Sequence, residues 1–333
     1  MRTYIAKRIA IGLVTLYIIV TLNFVLFQGF MQFLGDPTKH TLTDPNFTAE
    51  QRQLLIEQWG LNESLQVQYV KYLKNMYTWN FGFSFWTREP VAEGVLLRLP
   101  NTLLLLVPAF LGSLLIGTAV GVKAGSRRGS KTDVASLTAG MLTAGLPVFF
   151  VQMAFIFSFS FLFRMWFGFE LFPHRGMLST PAPIDFLSYV ADVIWHMVIP
   201  VISLTLMSLG GYALFARNLT VDAMTQDHVL TARAKGLGER SVMFRHVLRT
   251  ALPPVITMVT LAIPGIIGGS MITEYLFTWP GIGSWFVSSL GKDDYPVVQA
   301  VLFLYAMLTV ACNLAADLLY GVLDPRVRVG AKR

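Results

Sequence analysis

The chain has 333 residues, of which 54% are apolar and only 14% charged, whereas a soluble domain carries roughly a quarter charged residues. Mean hydropathy is +0.57, and the apolar residues gather in runs of about 20, enough to cross ~30 Å of hydrocarbon as helix. Composition therefore excludes an ordinary soluble domain. The net charge of +7 is explained below by where the basic residues fall.

One cysteine, Cys312, excludes an intrachain disulfide. His40, His174, His196, His228 and His246 lie far apart and match no zinc spacing.

In chain order, a basic N-terminus (Arg2, Lys7, Arg8) precedes an apolar stretch over 9–34. It is too long for a secretory signal and lacks a small-x-small cleavage site, so it reads as an uncleaved first span. Residues 35–98 are polar but rich in aromatics, including Trp79, Phe81, Phe83, Phe85 and Trp86. They read as a folded loop with helices over 51–59 and 65–76, the first stopped by Gly60. Further spans are predicted at about 99–122, 134–163 (with Pro147 inside), 193–215, 252–273 and 297–322. The chain divides into 1–34, the loop 35–98, a five-helix core over 99–323 that includes a polar segment 216–251, and a tail over 324–333.

Orientation follows from counting Lys and Arg. The N-terminus, 123–133, 216–251 and 322–333 carry 17, and the longer loops 35–98, 164–192 and 274–296 carry 9. The first set is expected in the cytoplasm, with both termini inside and about six spans. The expected fold is an all-α polytopic membrane bundle, N-in and C-in, with no nucleic-acid role behind the positive charge.

Segment 216–251 is the most informative. Asp227 is placed to cap a helix over 228–235, broken by Gly236 and Gly238, and Ser241 to cap a second over 242–249, with Pro253 and Pro254 opening the next span. Val229, Ala232 and Gly236 share one face, and Arg245 and Arg249 another. This suits either a docking lug or an ordinary positive-inside loop. The aromatic cluster 77–86 suits protein contact or the interfacial belt. Glu274, Trp279, Pro280, Gly281 and Gly283 suit a re-entrant outer gate or a plain turn. Intramembrane polar residues are few: Gln152, Asn313 and Asp317. The stretch 125–132 superficially resembles a phosphate loop, but Ser130 occupies the second glycine position. No Ser/His pair, HExxH motif or aspartate pair supports an intramembrane enzyme. No evident repeat supports a stand-alone secondary transporter or channel, which stays the alternative.

Four stretches carry a resemblance, in family order. They are TARAKGL at 231–237 followed by HVLRTALP at 246–253, WGLNESLQVQY at 59–69, NFGFS at 80–84 with RLPNT at 98–102, and EYLFTWPGIG at 274–283. Together they resemble the permease subunits of binding-protein-dependent ABC importers, in the oligopeptide/dipeptide/nickel branch. The acidic residue that opens the general importer loop is missing, since Leu230 precedes Thr231 and Ala232. Asn80 stands where the family usually has Asp, and Trp79 replaces a Gly. The resemblance implies an ATPase-coupling loop containing Thr231, Ala232, Arg233, Ala234, Lys235, Gly236, Leu237, Arg245 and His246. It implies a second related permease, two ATPase subunits that hold ATP and Mg, an extracytoplasmic substrate-binding protein, and a prokaryotic cell membrane. No cofactor is expected on this chain. Peptides, nickel and oligosaccharides are all substrates within the branch.

Overall fold

The computed structural model describes residues 2–29, 48–60 and 62–323. The expected end of the first span, the start of the exterior loop and the tail over 324–333 lie outside the described residues. Among those described, all extended regular structure is helical, with one antiparallel bridge between Phe83 and Pro90.

The helices are α1 (Arg2–Phe24), α2 (Ala49–Trp59), α3 (Leu65–Tyr77), α4 (Val91–Ser126), α5 (Lys131–Gly145), α6 (Val148–Ile156), α7 (Phe163–Phe167), α8 (Phe186–Met224), α9 (Asp227–Ala234), α10 (Glu239–Val242), α11 (Leu248–Leu276), α12 (Ile282–Leu290) and α13 (Tyr295–Leu323). Wider π turns extend α1 over Val25–Gly29, join α6 to α7 over Phe157–Leu162, and join α10 to α11 over Met243–Val247.

Among the described residues five helical stretches are long and apolar enough to cross a membrane: Ile5–Gln28, Val91–Ser126, Val148–Phe167, Phe186–Met224 and Tyr295–Leu319. The remaining predicted run, 252–273, lies inside the 29-residue α11. Apolar side chains face outward along these helices, with Leu97 74% and Leu115 66% exposed, while Ser113, Gln152, Ser203 and Thr220 are buried. That distribution suits surroundings as apolar as leucine itself.

Three sequence expectations are corrected. The predicted span over 134–163 is two helices, because Pro147 forces Leu146 into an extended conformation (ψ 131°) and caps α6 instead of lying within a helix. Gln226, not Asp227, is the N-cap of α9. No separate helix starts after Ser241; α10 starts after Gly238 and runs through the π turn into α11. Pro253 and Pro254 therefore lie within α11, where they remove two helix donors without ending it. The expected stop at Gly60 is found, with φ +64°.

The chain packs as two compact units. The first comprises residues 1–102 and 280–314. There Phe24 stacks edge-on to Tyr69 at 5.1 Å, the Thr21 and Tyr69 hydroxyls lie 2.7 Å apart, and Asn23 donates to the Gln299 carbonyl at 3.2 Å. The Arg98 guanidinium covers the Trp285 ring at 4.3 Å.

The second unit comprises 103–279 and 315–333 and is built around α8. Gly117, Gly121 and Gly125 of α4 lie against the α8 backbone. A methyl group at Gly117 would come within 2.8 Å of the Leu209 carbonyl oxygen, and one at Gly125 within 2.7 Å of the Arg217 carbonyl oxygen. At Gly121 it would collide with the Ala213 carbonyl oxygen. On a neighbouring face of α8, Leu214 fills the space over Gly140 of α5. Spacing by four residues puts the three α4 glycines on one helix face, where small residues admit a close helix–helix approach. This G-x-x-x-G-x-x-x-G run was legible in the sequence but is absent from the expectations above.

Substitution to alanine separates the crowded glycines from the open ones. Gly121→Ala is expected to cost about 1–3 kcal/mol through overpacking. Gly211→Ala, with nothing within 4 Å of the added carbon, is expected to be neutral or slightly stabilising. Thermal unfolding of the detergent-solubilised chain distinguishes the two.

Candidate functional site

Within the polar segment 216–251, residues 225–247 fold as a hairpin between α8 and α11. Thr225 ends α8, extended Gln226 turns the chain, and α9 follows over eight residues. The Lys235 N–H donates to the Thr231 carbonyl at 3.1 Å and the Gly236 N–H to the Arg233 carbonyl at 2.9 Å. Gly236 then takes the left-handed conformation, φ +78°, which closes the helix. Nothing lies within 4 Å of a carbon added at Gly236. Of the two reasons for a glycine there, positive φ or close contact within the chain, the backbone supplies the first.

The hairpin has its own small core. Val229, Ala232, Val242 and Val247 are buried with Ala223 and Ala251, and Leu219, Met224 and Met243 pack around them. Val229 and Ala232 share one face, as the spacing predicts, but that face is turned into the hairpin's own core and not left open to another surface, and Gly236 stays exposed outside it. Arg233 spans the Gly236 turn to Glu239 with two hydrogen bonds, Nε to Oε1 at 2.9 Å and Nη2 to Oε2 at 3.2 Å. Thr231 Oγ1 donates to the Asp227 carbonyl at 2.8 Å.

The outer face is apolar and basic. Leu230, Leu237 and Phe244 are exposed at 52%, 41% and 63%. Lys235, Arg245 and Arg249 are exposed around them, and His246 is half-buried. Gly238, Glu239, Arg240, Ser241, Phe244 and Arg245 line an open hollow. The predicted coupling residues therefore divide. Ala232 is core, Arg233 ties the turn, and Thr231, Ala234, Lys235, Gly236, Leu237 and Arg245 face outward. Phe244 belongs to the outer face but was not predicted; an aromatic between the polar residues Ser241 and Arg245 was the available signal.

An ion pair with a buried carboxylate fixes the helix that carries the hairpin. Arg217 of α8 grips Asp133 of α5 through Nε at 2.8 Å and Nη2 at 3.0 Å. The Gly129 N–H also donates to Asp133, at 2.9 Å, and Ser130 caps α5 by accepting the Asp133 N–H. The Arg217 hydrogen bonds hold the Asp133 carboxyl down at about 2, below its ordinary 3.8. The pair thus adds stability above the ordinary carboxylate range, and that stability is lost as pH falls towards 2.

The other predicted residues lie elsewhere. Phe81 is buried against Trp79 and Phe303, Phe85 is half-buried, and Phe83 and Trp86 are exposed. Glu274 and Trp279 are buried, and the Trp279 N–H donates to the Glu274 carbonyl at 2.7 Å. Gly281 is extended and caps α12, Gly283 is buried, and exposed Pro280 accepts from Asn101 Nδ2 at 2.9 Å. The positive φ in this turn is at Thr278, +53°, and not at either glycine. Gln152 is buried and donates to Thr273 Oγ1 at 2.7 Å. Among the described residues no group of three or more His, Cys, Asp or Glu could hold a metal ion.

Long apolar helices that present one small, separately packed hairpin fit a polytopic membrane protein. Residues 113–329 match the family described as binding-protein-dependent transport system inner membrane component, and residues 1–106 match its N-terminal counterpart. The chain belongs to that family. It is 36% identical over 328 residues to the oligopeptide transport system permease protein AppB of Bacillus subtilis, covering 98% of this chain and 99% of that one. It is 32% identical to the di/tripeptide transport system permease protein DppB of Pseudomonas aeruginosa and 32% to the glutathione transport system permease protein GsiC of Salmonella typhi, with the same coverage. The chain is a multi-pass membrane permease subunit of an ABC importer in the peptide branch.

Asp133→Ala removes the partner of a guanidinium that keeps some exposure to solvent, so it is expected to cost about 1–3 kcal/mol. Asp133→Leu with Arg217→Met, which replaces both charges by apolar groups, is expected to recover most of the loss. Thermal unfolding of the single and double variants measures both.

Proposed function

We propose that this subunit forms the translocation path for peptides or related small solutes delivered by an extracytoplasmic binding protein, and that its hairpin couples the path to two ATPase subunits. The path is completed by a second, related permease. ATP and Mg are held by the ATPases, since this chain carries no ATPase motif. In this reading the chain crosses the bilayer six times with both termini inside, so the hairpin lies in the cytoplasm. Nickel and oligosaccharide remain substrates of the wider branch, and the names of the relatives favour peptides.

The single observation that carries the reading is the hairpin itself. Its inner face is closed by a small core, its turn is tied by Arg233 and Glu239, and its outer face leaves Leu230, Leu237 and Phe244 exposed. A rigid lug that exposes apolar and basic groups is what a groove on an ATPase needs in order to push and pull a membrane helix. Closure of the ATPases would move the hairpin and, through α8 and α11, switch the path between inward-open and outward-open. The 274–283 turn would serve as an outer gate, and Phe83 and Trp86 would meet the binding protein. A stand-alone transporter or channel would not need such a lug.

Substitutions at Gly236 separate backbone strain from partner contact. Gly236→Ala forces a side chain into the left-handed region at about 1–2 kcal/mol, a penalty that Asn largely escapes. Gly236→Trp adds bulk that meets nothing within the chain near its Cβ. The expected result is near-normal uptake for Asn, partial loss for Ala and abolished uptake for Trp, all with the complex assembled. Uptake by the Trp variant equal to that of Ala, or uptake that persists on an ion gradient with ATP hydrolysis blocked, would contradict the coupling role.

A further inference from the structure

The loop between α3 and α4 is tied by a side chain more than 200 residues away in sequence. Asp294, fully buried, directly precedes α13, and its carboxylate accepts the Val297 N–H there. The same carboxylate receives the Ser84 hydroxyl, the Phe85 N–H at 2.8 Å and the Trp86 N–H at 3.4 Å. Ser84 Oγ in turn accepts the Trp86 and Thr87 N–H groups at 3.2 and 2.9 Å. Around this centre the backbone closes on itself, with the Ser84 N–H on the Glu89 carbonyl and the Val91 N–H on the Gly82 carbonyl. Trp79, Gly82, Arg88 and Asp293 all have positive φ.

The consequence is visible at the surface. Phe81 is buried beneath the loop, whereas Trp86 stands 63% exposed and Phe83 36%. The Lys292 ammonium, two residues before the buried carboxylate, sits 3.8 Å above the Trp86 ring. A cation over an indole face holds the ring without covering its other side. A large aromatic that is fixed and still open is the kind of residue that anchors a protein interface.

We propose that Asp294 and Ser84 are positioning residues, a latch that holds the loop 80–90 rigid so that Trp86 can anchor the substrate-binding protein. This rests on the reading above that the loop meets that partner. The latch saves the partner the entropy of ordering the loop on docking. It should therefore act on how much binding protein is needed and not on the rate once docking is complete.

The test uses the assembled transporter in nanodiscs with its cognate binding protein, loaded from a tryptic digest of casein. ATP hydrolysis is followed against binding-protein concentration. Trp86→Ala is expected to raise the half-saturating concentration about tenfold or more, with the plateau and the unstimulated rate unchanged. Asp294→Ser retains a helix cap for α13 but cannot reach the loop. It and the milder Ser84→Ala are expected to raise the half-saturating concentration in the same way. Trypsin cleavage after Arg88 reports loop order independently. It should quicken in Asp294→Ser and Ser84→Ala and stay as in wild type for Trp86→Ala.

The outcomes separate the two layers. Half-saturation unchanged in Trp86→Ala, or a wild-type transporter that does not respond to the loaded binding protein, sinks the docking reading and the latch with it. A shift in Trp86→Ala alone, with Asp294→Ser and Ser84→Ala cleaved and stimulated like wild type, leaves docking intact and overturns the latch. A lowered plateau without a change in half-saturation also overturns it.

Discussion

The contact of α4 with α8, backbone against backbone, is the constraint on which the second unit depends. In a bilayer, apolar side chains gain little by leaving lipid for protein, so helices associate through close packing and polar contacts instead. Gly117, Gly121 and Gly125 bring α4 so near that the carbonyl oxygens of Leu209, Ala213 and Arg217 occupy the space of the missing methyl groups. Gly140 permits a comparable approach of α5 to Leu214. From Leu209 to Thr220, α8 is thus held on two faces, and at Arg217 by the buried Asp133 carboxylate as well, so this stretch resists bending, whereas Pro200 lies earlier in the same helix.

That rigidity explains how a short hairpin can matter. At 39 residues, α8 is ~58 Å long at 1.5 Å per residue, well beyond the ~30 Å of hydrocarbon. It passes directly into the hairpin, whose own core and Arg233–Glu239 tie leave few soft joints. The other exit, through α10 and the π turn, is continuous helix into α11. The hairpin is thus attached at both ends to long helices, and in the proposed role a displacement of its outer face would be passed on to them.

How much of this could be read from the sequence varied with the range of the interaction. Apolar runs, Gly60, the Val229–Ala232 face and the breaking role of Gly236 are local, and periodicity or a single residue's conformational freedom reveals them. The end of the second span is read at about 122, four residues before Ser126 closes α4, whereas the glycine triplet acts through a helix some ninety residues away, and only a search for small residues at four-residue spacing would have found it. The break at Leu146 was misread because a membrane helix tolerates many prolines, and here the residue before Pro147 gave way. The merging of α10 with α11 was missed because capping residues such as Ser241 suggest a start that the π turn makes unnecessary. Asp294 and Asp133 carry local capping signals, but nothing near them in sequence points to their remote partners Ser84 and Arg217. Among the predicted contact residues, Phe81 and Trp86 look alike as letters, and only packing separates the buried ring from the exposed one.

A photo-crosslinking side chain at position 237, the exposed tip of the turn, tests the central claim most directly. Illumination of the assembled transporter should join this chain to an ATPase subunit, with a yield that changes when ATP is bound. A product with the extracytoplasmic binding protein, or no product with an intact complex, would contradict the account.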